Sequence, residues 1–157
     1  MAVRSAGILL WRRAPESVVP TLEVWIAHMG GPFWAKKDAA AWSIPKGEYA
    51  DDEDALAAAL REFGEEIGVP APELPYLNLG EFRQSSGKVV TAFAAESDFD
   101  VAEVHSNTFD AEWPPRSGRI QQFPEIDRAQ WMSLDDARIR IVKGQVPVLD
   151  ALEQSVG

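Results

Sequence analysis

Residues 47–69, Gly-Glu-Tyr-Ala-Asp-Asp-Glu-Asp-Ala-Leu-Ala-Ala-Ala-Leu-Arg-Glu-Phe-Gly-Glu-Glu-Ile-Gly-Val, decide how the rest of this chain is read. A turn of about 100° per residue from Leu56 to Ile67 separates two faces. Leu56, Leu60, Phe63 and Ile67 fall in one narrow apolar stripe. Glu62, Glu65 and Glu66 fall roughly opposite, beside Ala55, Ala58 and Ala59. The spacing predicts an amphipathic helix that gathers three carboxylates on one patch among small side chains.

A solvated acidic face is the ordinary fate of such a run. A face built for solubility, however, would set Lys or Arg three or four residues from each Glu, whereas Glu62 meets Glu65 and Glu66. Like charges at that spacing cost a few tenths of a kcal/mol per pair, and Gly64 in mid-helix costs ~1 kcal/mol more relative to Ala. A bound cation would offset these costs, and an all-oxygen ligand set suits a hard ion such as Mg²⁺ or Mn²⁺. Asp51 and Asp52 are placed to cap the helix and complement its dipole. Gly68 stands where a left-handed C-terminal residue is needed, and Pro70 forbids continuation. Gly47 is expected in a preceding turn, where a missing Cβ lets backbone approach a ligand.

Gly47, Glu53, Arg61-Glu62, Phe63, Glu65-Glu66, Gly68 and Val69, at their spacings over 23 residues, resemble the Nudix box. Phe63 departs mildly, being aromatic where the family usually has a branched aliphatic. The resemblance implies a MutT-like Nudix pyrophosphohydrolase that cleaves a nucleoside diphosphate linked to another group, using divalent metal. It also implies an α/β fold, an α/β/α sandwich around a central mixed sheet. By resemblance, Glu65 and Glu66 are direct metal ligands, Glu62 is a ligand or the general base, and the Lys46 backbone carbonyl is a further ligand. Arg61 is expected to orient a Glu through an ion pair or, alternatively, to form only a surface salt bridge worth under ~1 kcal/mol. Glu53, opposite Glu62 on the wheel, is expected in a supporting role at the helix start. Many Nudix enzymes add an acid from a late loop before a Trp-containing strand. Glu125, six residues before Trp131, matches that placement as metal ligand or base, with Glu112 as its substitute.

Composition bounds the remaining choices. At 157 residues the chain fits one domain, taken as 1–157, long enough to bury a core. A net charge of −10 disfavours nonspecific binding to nucleic-acid polymers or anionic membranes. No cysteine is present, which excludes disulfides and thiolate metal sites. No stretch approaches the ~20 apolar residues of a membrane span, and the N-terminal apolar run is too short for a signal peptide. The expected setting is cytoplasmic, as monomer or homodimer, with a small nucleotide or polyphosphate as partner.

Around the box, Ser5–Arg12 and Thr21–His28 read as neighbouring strands joined by a turn over Pro15–Pro20. Residues 30–41 form a loop in which Lys36 and Lys37 can meet phosphates and Phe33 or Trp34 can stack on a base; equally, it can be a surface loop tucked down by its aromatics. Tyr76–Gln84 and Val89–Glu96 read as a hairpin about Ser85–Lys88, with Arg83 and Lys88 placed to aim charge at substrate or to sit solvated at strand ends. Ser97–Arg119 reads as a long irregular insertion whose Arg116 and Arg119 either clamp a distal phosphate or pair with nearby acids. Asp135–Val142, capped by Ser133 or Asp135, and Val146–Gln154 read as helices, giving one sheet covered on both faces.

The Pro45-Lys46-Gly47-Glu48 lead-in resembles Nudix enzymes acting on dinucleoside polyphosphates or diphosphoinositol polyphosphates. Oxidised nucleoside triphosphates and ADP-ribose are the other substrate classes the family implies. A catalytically silent nucleotide-binding regulator is the alternative function; such modules typically lose box glutamates, and this chain keeps them.

Overall fold

The computed structural model describes residues 3–14 and 21–157, so the expected Pro15–Pro20 turn lies outside the described residues. The centre of the fold is β1 (Arg4–Arg13). It runs parallel to β6 (Val89–Glu96) on one side and antiparallel to β2 (Leu22–Met29) and β4 (Lys46–Glu48) on the other. These two share one edge of β1 because β2 pairs only with Leu10–Arg13, leaving Ser5–Gly7 to β4. The short β3 (Trp42–Ser43) pairs with the far end of β2 and leads into β4 through Ile44 and Pro45. β5 (Leu77–Arg83) closes one edge on β6, and β9 (Ile126–Ser133) closes the other on β2. The result is the mixed seven-stranded sheet of an α/β protein.

Alternation along β1 divides the core. Ala6, Ile8 and Leu10 face α1 (Ala55–Ile67), whereas Leu9 and Trp11 face α2 (Leu134–Arg140) and α3 (Val146–Val156). All five are buried, as expected of a central strand covered on both faces. α2 starts where expected, with Ser133 accepting from the Asp136 N–H at 3.1 Å.

α1 is where the helical reading needed correction. Its N-cap is Asp54, which accepts from the Ala57 N–H at 3.0 Å; Asp51 and Asp52 lie in the preceding turn. Gly68 does take the left-handed conformation, with φ of 91°, and its N–H returns to the Gly64 carbonyl. The buried face is wider than the leucine stripe. Ala58 and Ala59 are fully buried with Phe63 and Ile67, while Leu56 and Leu60 are only partly so. The glutamates therefore do not point directly away from the sheet. Glu62 and Glu66 lie on the flank between the two alanines, where the helix crosses β4.

Phe63 sits where two other rings can meet it: Trp25 at 5.8 Å and Phe99 at 5.5 Å, the latter also edge-on to Trp25 at 5.2 Å. The aromatic at this position is thus accounted for by its neighbours, each such pair adding ~0.5–1.5 kcal/mol beyond burial. The Trp131 indole donates to the Phe99 carbonyl at 2.9 Å, which holds Phe99 in place.

The segment read as an irregular insertion is irregular only to Asn107. It then forms a hairpin of β7 (Thr108–Glu112) and β8 (Ile120–Pro124), separate from the main sheet. Polar and apolar residues do not alternate cleanly there because both faces are largely exposed, so the pattern that announces a half-buried strand is missing. Among the described residues, no helix is long and apolar enough to cross a membrane.

The close approach of α1 depends on Ala59. Replacing Ala59 with Leu should destabilise the fold by about 1–3 kcal/mol through overpacking, read as a lower urea midpoint at unchanged slope. An unchanged midpoint would show that the helix can lift at no cost.

Candidate active site

Small residues bring the glutamates onto the sheet. With Ala58 and Ala59 against β1 and β4, the Lys46 N–H donates to Glu66 Oε2 at 3.3 Å. A Cβ at Gly47 would overlap the Glu62 carboxylate. Gly47 therefore lies in a strand rather than the expected turn, and the group that needs its missing side chain is Glu62.

Arg61 lies among the acids. Its guanidinium holds Glu53 in a two-point contact, Nε to Oε2 and Nη2 to Oε1, both at 3.1 Å. Its Nη1 reaches Glu62 at 2.8 Å and Glu65 at 3.4 Å. These bonds, those from Glu53 foremost, raise the guanidinium pKa further. Glu53 so acts through Arg61, eight residues along, from the start of the helix.

Burial pushes the Glu66 carboxyl up to about 8; Glu125 and Glu62 add repulsion, and the Lys46 N–H and ammonium partly oppose it. Burial also raises Glu62, against the pull of Arg61 and with help from Glu65. Glu125 is brought to the C-terminal end of α1. Its backbone is tied there by relay: Asn107 N–H to the Glu65 carbonyl at 3.1 Å, Glu125 N–H to the Asn107 carbonyl at 2.9 Å, and Gly30 N–H to the Glu125 carbonyl at 2.8 Å. Glu112, its substitute, lies along the hairpin and accepts from the Arg116 N–H at 2.6 Å.

Among the described residues, no three carboxylates or imidazoles are drawn together as a ready-made metal cage. Glu62 and Glu65 are instead held by the same Arg61 Nη1, while Glu66 accepts from the Lys46 N–H. The donor set is nonetheless all oxygen, with half-buried carboxylates held above their ordinary pKa by burial and mutual repulsion. A hard cation suits that chemistry.

The expected substrate-binding residues fall into three groups. Lys88 lines one cleft with Lys46, whose carbonyl alone was expected at the site, and burial foremost, with repulsion from Lys88, lowers the Lys46 pKa. Lys88 also pairs with the exposed Glu48 at 3.3 Å. Arg83 lies exposed at the end of β5. In the 30–41 loop, Lys37 sits 3.6 Å over the Phe33 ring and 5.4 Å from that of Trp34, and Lys36 is exposed. Trp34 packs partly on the core, whereas Phe33 is 61% exposed. His28, fully buried, pins this loop by contacts to the Lys37 carbonyl at 2.7 Å and Asp127 at 2.8 Å. Arg116 and Arg119 are at the exposed tip of the β7–β8 hairpin, which the structure does not bring to the box glutamates. Arg116 is left-handed there, with φ of 63°.

Sequence reasoning named Lys46 only for its carbonyl and overlooked Lys143, Gln84 and Gln145, which border a cleft beside it. Lys143-Gly144-Gln145 does read as a turn between two helical segments. Nothing local signals that it lies beside residues some sixty and a hundred positions earlier.

Sheet, helix and glutamates together define the protein class. The family model for the NUDIX domain matches residues 2–152, and the chain belongs to that family. Nudix hydrolases cleave pyrophosphate linkages and generally use divalent metal, and this chain is such a pyrophosphohydrolase. It is 28% identical over 119 residues to the RNA pyrophosphohydrolase of Roseobacter denitrificans, covering 62% of this chain and 74% of that one. It is 33% identical over 97 residues to Nudix hydrolase 10 of Arabidopsis thaliana, covering 61% of this chain but only 30% of the plant protein. In fold it resembles a C. elegans Ap4A hydrolase in a binary complex, with a TM-score of 0.63 and 20% identity over 99% of this chain and 98% of that one. It also resembles the NUDIX domain of Shewanella oneidensis NrtR complexed with ADP ribose, with a TM-score of 0.65 and 13% identity over 100% and 90%.

Gly47→Ala should displace the Glu62 carboxylate and so cut turnover, while the melting temperature changes much less than activity does. Full activity in that variant would separate Glu62 from the reaction.

The Glu66 carboxyl makes stability depend on pH in chelator. Folded, it keeps its proton up to about pH 8, whereas the unfolded carboxyl releases it near its ordinary 4.5. The folded state thus binds more protons between those values, and stability falls as pH rises through them. Urea titrations at pH 5 and pH 8 should show that fall, with Glu66→Gln flattening it.

Proposed function

We propose that this chain is a Mg²⁺- or Mn²⁺-dependent hydrolase of phosphoanhydride bonds in a nucleoside polyphosphate or related compound, with dinucleoside polyphosphates the favoured class. The observation that carries this reading is the half-buried Glu66 carboxyl, which accepts from the Lys46 N–H at 3.3 Å with Glu62 and Glu125 raising its pKa further. Glu62, Glu65, Glu66, Glu125 and the Lys46 carbonyl would hold the metal. When bound, it supplies charge neutralisation on phosphate oxygens and a water that ionises more readily.

The chain's own residues do the rest. Arg61 fixes the aim of Glu62 and Glu65 through its anchor on Glu53. Gly47 leaves room for the Glu62 carboxylate, and the Asn107 relay keeps Glu125 at the site. In hydrolysis a water oxygen bonds to phosphorus and its proton passes to Glu62 or Glu125. The bridging P–O bond breaks, and its oxygen leaves with the second phosphate. Lys46 and Lys88 supply local positive charge against the field of a chain with net charge −10. Phe33 and Trp34 offer rings for a base, and Lys36, Lys37 and Arg83 offer outlying charge. Arg116 and Arg119 would reach a substrate only where it extends to the hairpin tip. The whole of 1–157 serves as one Nudix unit, in the cytoplasm.

Product release should be measured for Ap4A, ADP-ribose, oxidised nucleoside triphosphates and a diphosphoinositol polyphosphate, with Mg²⁺, Mn²⁺ or chelator. Turnover is expected with metal only, and Ap4A should outrun ADP-ribose. Glu66→Gln should lose more than the roughly 10–100-fold that follows removal of a group merely supporting a ligand. Full activity of that variant at saturating metal, or turnover undiminished by chelator, would refute the assignment.

Metal should also raise the melting temperature, because an ion bound at 100 times its Kd adds about 2.7 kcal/mol to the native state. Melts in millimolar Mg²⁺ that match those in chelator would count against a site on these glutamates.

A further inference from the structure

Lys46 faces two ways. Its backbone N–H meets Glu66, and its side chain lines a cleft of about 370 Å³ on the other side. That volume lies within the range of ~300–1,000 Å³ usual for small-molecule pockets. Four stretches enclose it: the end of β2, the β3–β4 passage, the β5–β6 turn and the turn between α2 and α3. Its lining includes Lys46, Lys88 and Lys143, no acidic side chain and no aromatic ring. On a chain with 25 acids and 15 bases, such a lining runs against the composition of the whole.

The turn carrying Lys143 is clamped from both sides. Fully buried Gln145 accepts from the Ile44 N–H at 3.0 Å and donates to the Ser43 hydroxyl at 3.0 Å. The Gln84 amide donates to the Gly144 carbonyl at 3.0 Å, and a Cβ at residue 144 would overlap Gln84. Gln145 within the turn and Gln84 just past the end of β5 thus fix a three-residue surface turn whose one charged side chain is Lys143. Among the described residues, Lys143 has no carboxylate partner, while Lys88 has only the exposed Glu48, a kind of pair that holds weakly in water.

We propose that this cleft seats the phosphates beyond the scissile bond, with Lys143 the residue that sets preference for a long phosphate chain. The proposal rests on the phosphoanhydride reading of the adjacent glutamates. Each lysine brings a compact charge on a flexible stem with three rotatable donors. That suits successive phosphate groups whose oxygens need no fixed planar fork. With no ring to stack on, the cleft holds phosphate and not a base.

The test is calorimetric titration of inorganic tripolyphosphate into the protein in chelator, for wild type, Lys143→Glu and Lys143→Arg. Wild type and Lys143→Arg should bind alike. Lys143→Glu should bind at least about tenfold more weakly, the scale of one lost charge-assisted contact. Its melting curve should match that of wild type, because the side chain is exposed. In hydrolysis, Lys143→Glu should lower kcat/KM for a dinucleoside tetraphosphate at least about tenfold more than for ADP-ribose. Equal tripolyphosphate affinity in wild type and Lys143→Glu, no binding by wild type, or equal losses on both substrates would overturn the proposal. A wild type that binds tripolyphosphate through Lys143 but turns over no substrate would instead sink the hydrolase reading and leave the cleft standing.

Discussion

The contact between the Glu62 carboxylate and the bare backbone of Gly47 is the constraint on which the rest of the site depends. It requires α1 to lie close to β4, which Ala58 and Ala59 permit and any larger residue would prevent. It requires β4 to occupy the edge of β1 that β2 leaves open, so the divergence of β1 and β2 belongs to the same arrangement. It also brings Glu66 within reach of the Lys46 N–H. The resulting half-burial is what holds both carboxyls above their ordinary pKa.

Around that contact the charges are sorted. Arg61 gathers Glu53, Glu62 and Glu65 on one side of the helix, whereas Lys46, Lys88 and Lys143 collect across β4. A net acidic protein that handles polyanions must concentrate its cations, because the far field of the chain repels the ligand. Lys46 stands at the boundary, drawn by Glu66 and Glu62 and pushed by Lys88. Acid cluster and basic cleft are therefore adjoining halves of one surface.

Much of this was legible in residues 47–69. The helix, its left-handed Gly68 and the box glutamates follow from periodicity, backbone conformation and motif spacing, all local properties. The mixed sheet with helices on both faces could be read because β1, β2 and β6 are continuous apolar runs. What could not be read is tertiary. A helical wheel places Glu62 and Glu66 relative to Leu56 but does not say that Ala58 and Ala59 will be buried too. The N-cap differs from the expected one because three aspartates precede the helix and each is chemically competent to cap it. The β7–β8 hairpin escaped notice because neither face is covered, so burial imposes no alternation on its residues. Lys143 was invisible because its significance lies in Gln84 and Ile44, neither of them near it in sequence.

The parallel pairing of β1 with β6 carries a consequence for how the chain is made. Every residue from Arg4 to Trp11 has its partner between Val89 and Glu96. The central strand is thus synthesised well before its parallel partner and waits for it before its second edge is paired. Synthesis at ~5–20 residues per second makes that wait several seconds long. During it, α1 is already formed in sequence, but the floor on which Phe63 and Ile67 settle is half built. The contacts of the box glutamates with Lys46 and Gly47, and of β4 with β1, lie within the earlier part of the chain and do not involve β6. Non-local strand pairing of this kind delays folding because loop entropy must be lost before the contacts repay it. β1 thus spends that interval with the edge meant for β6 unpaired.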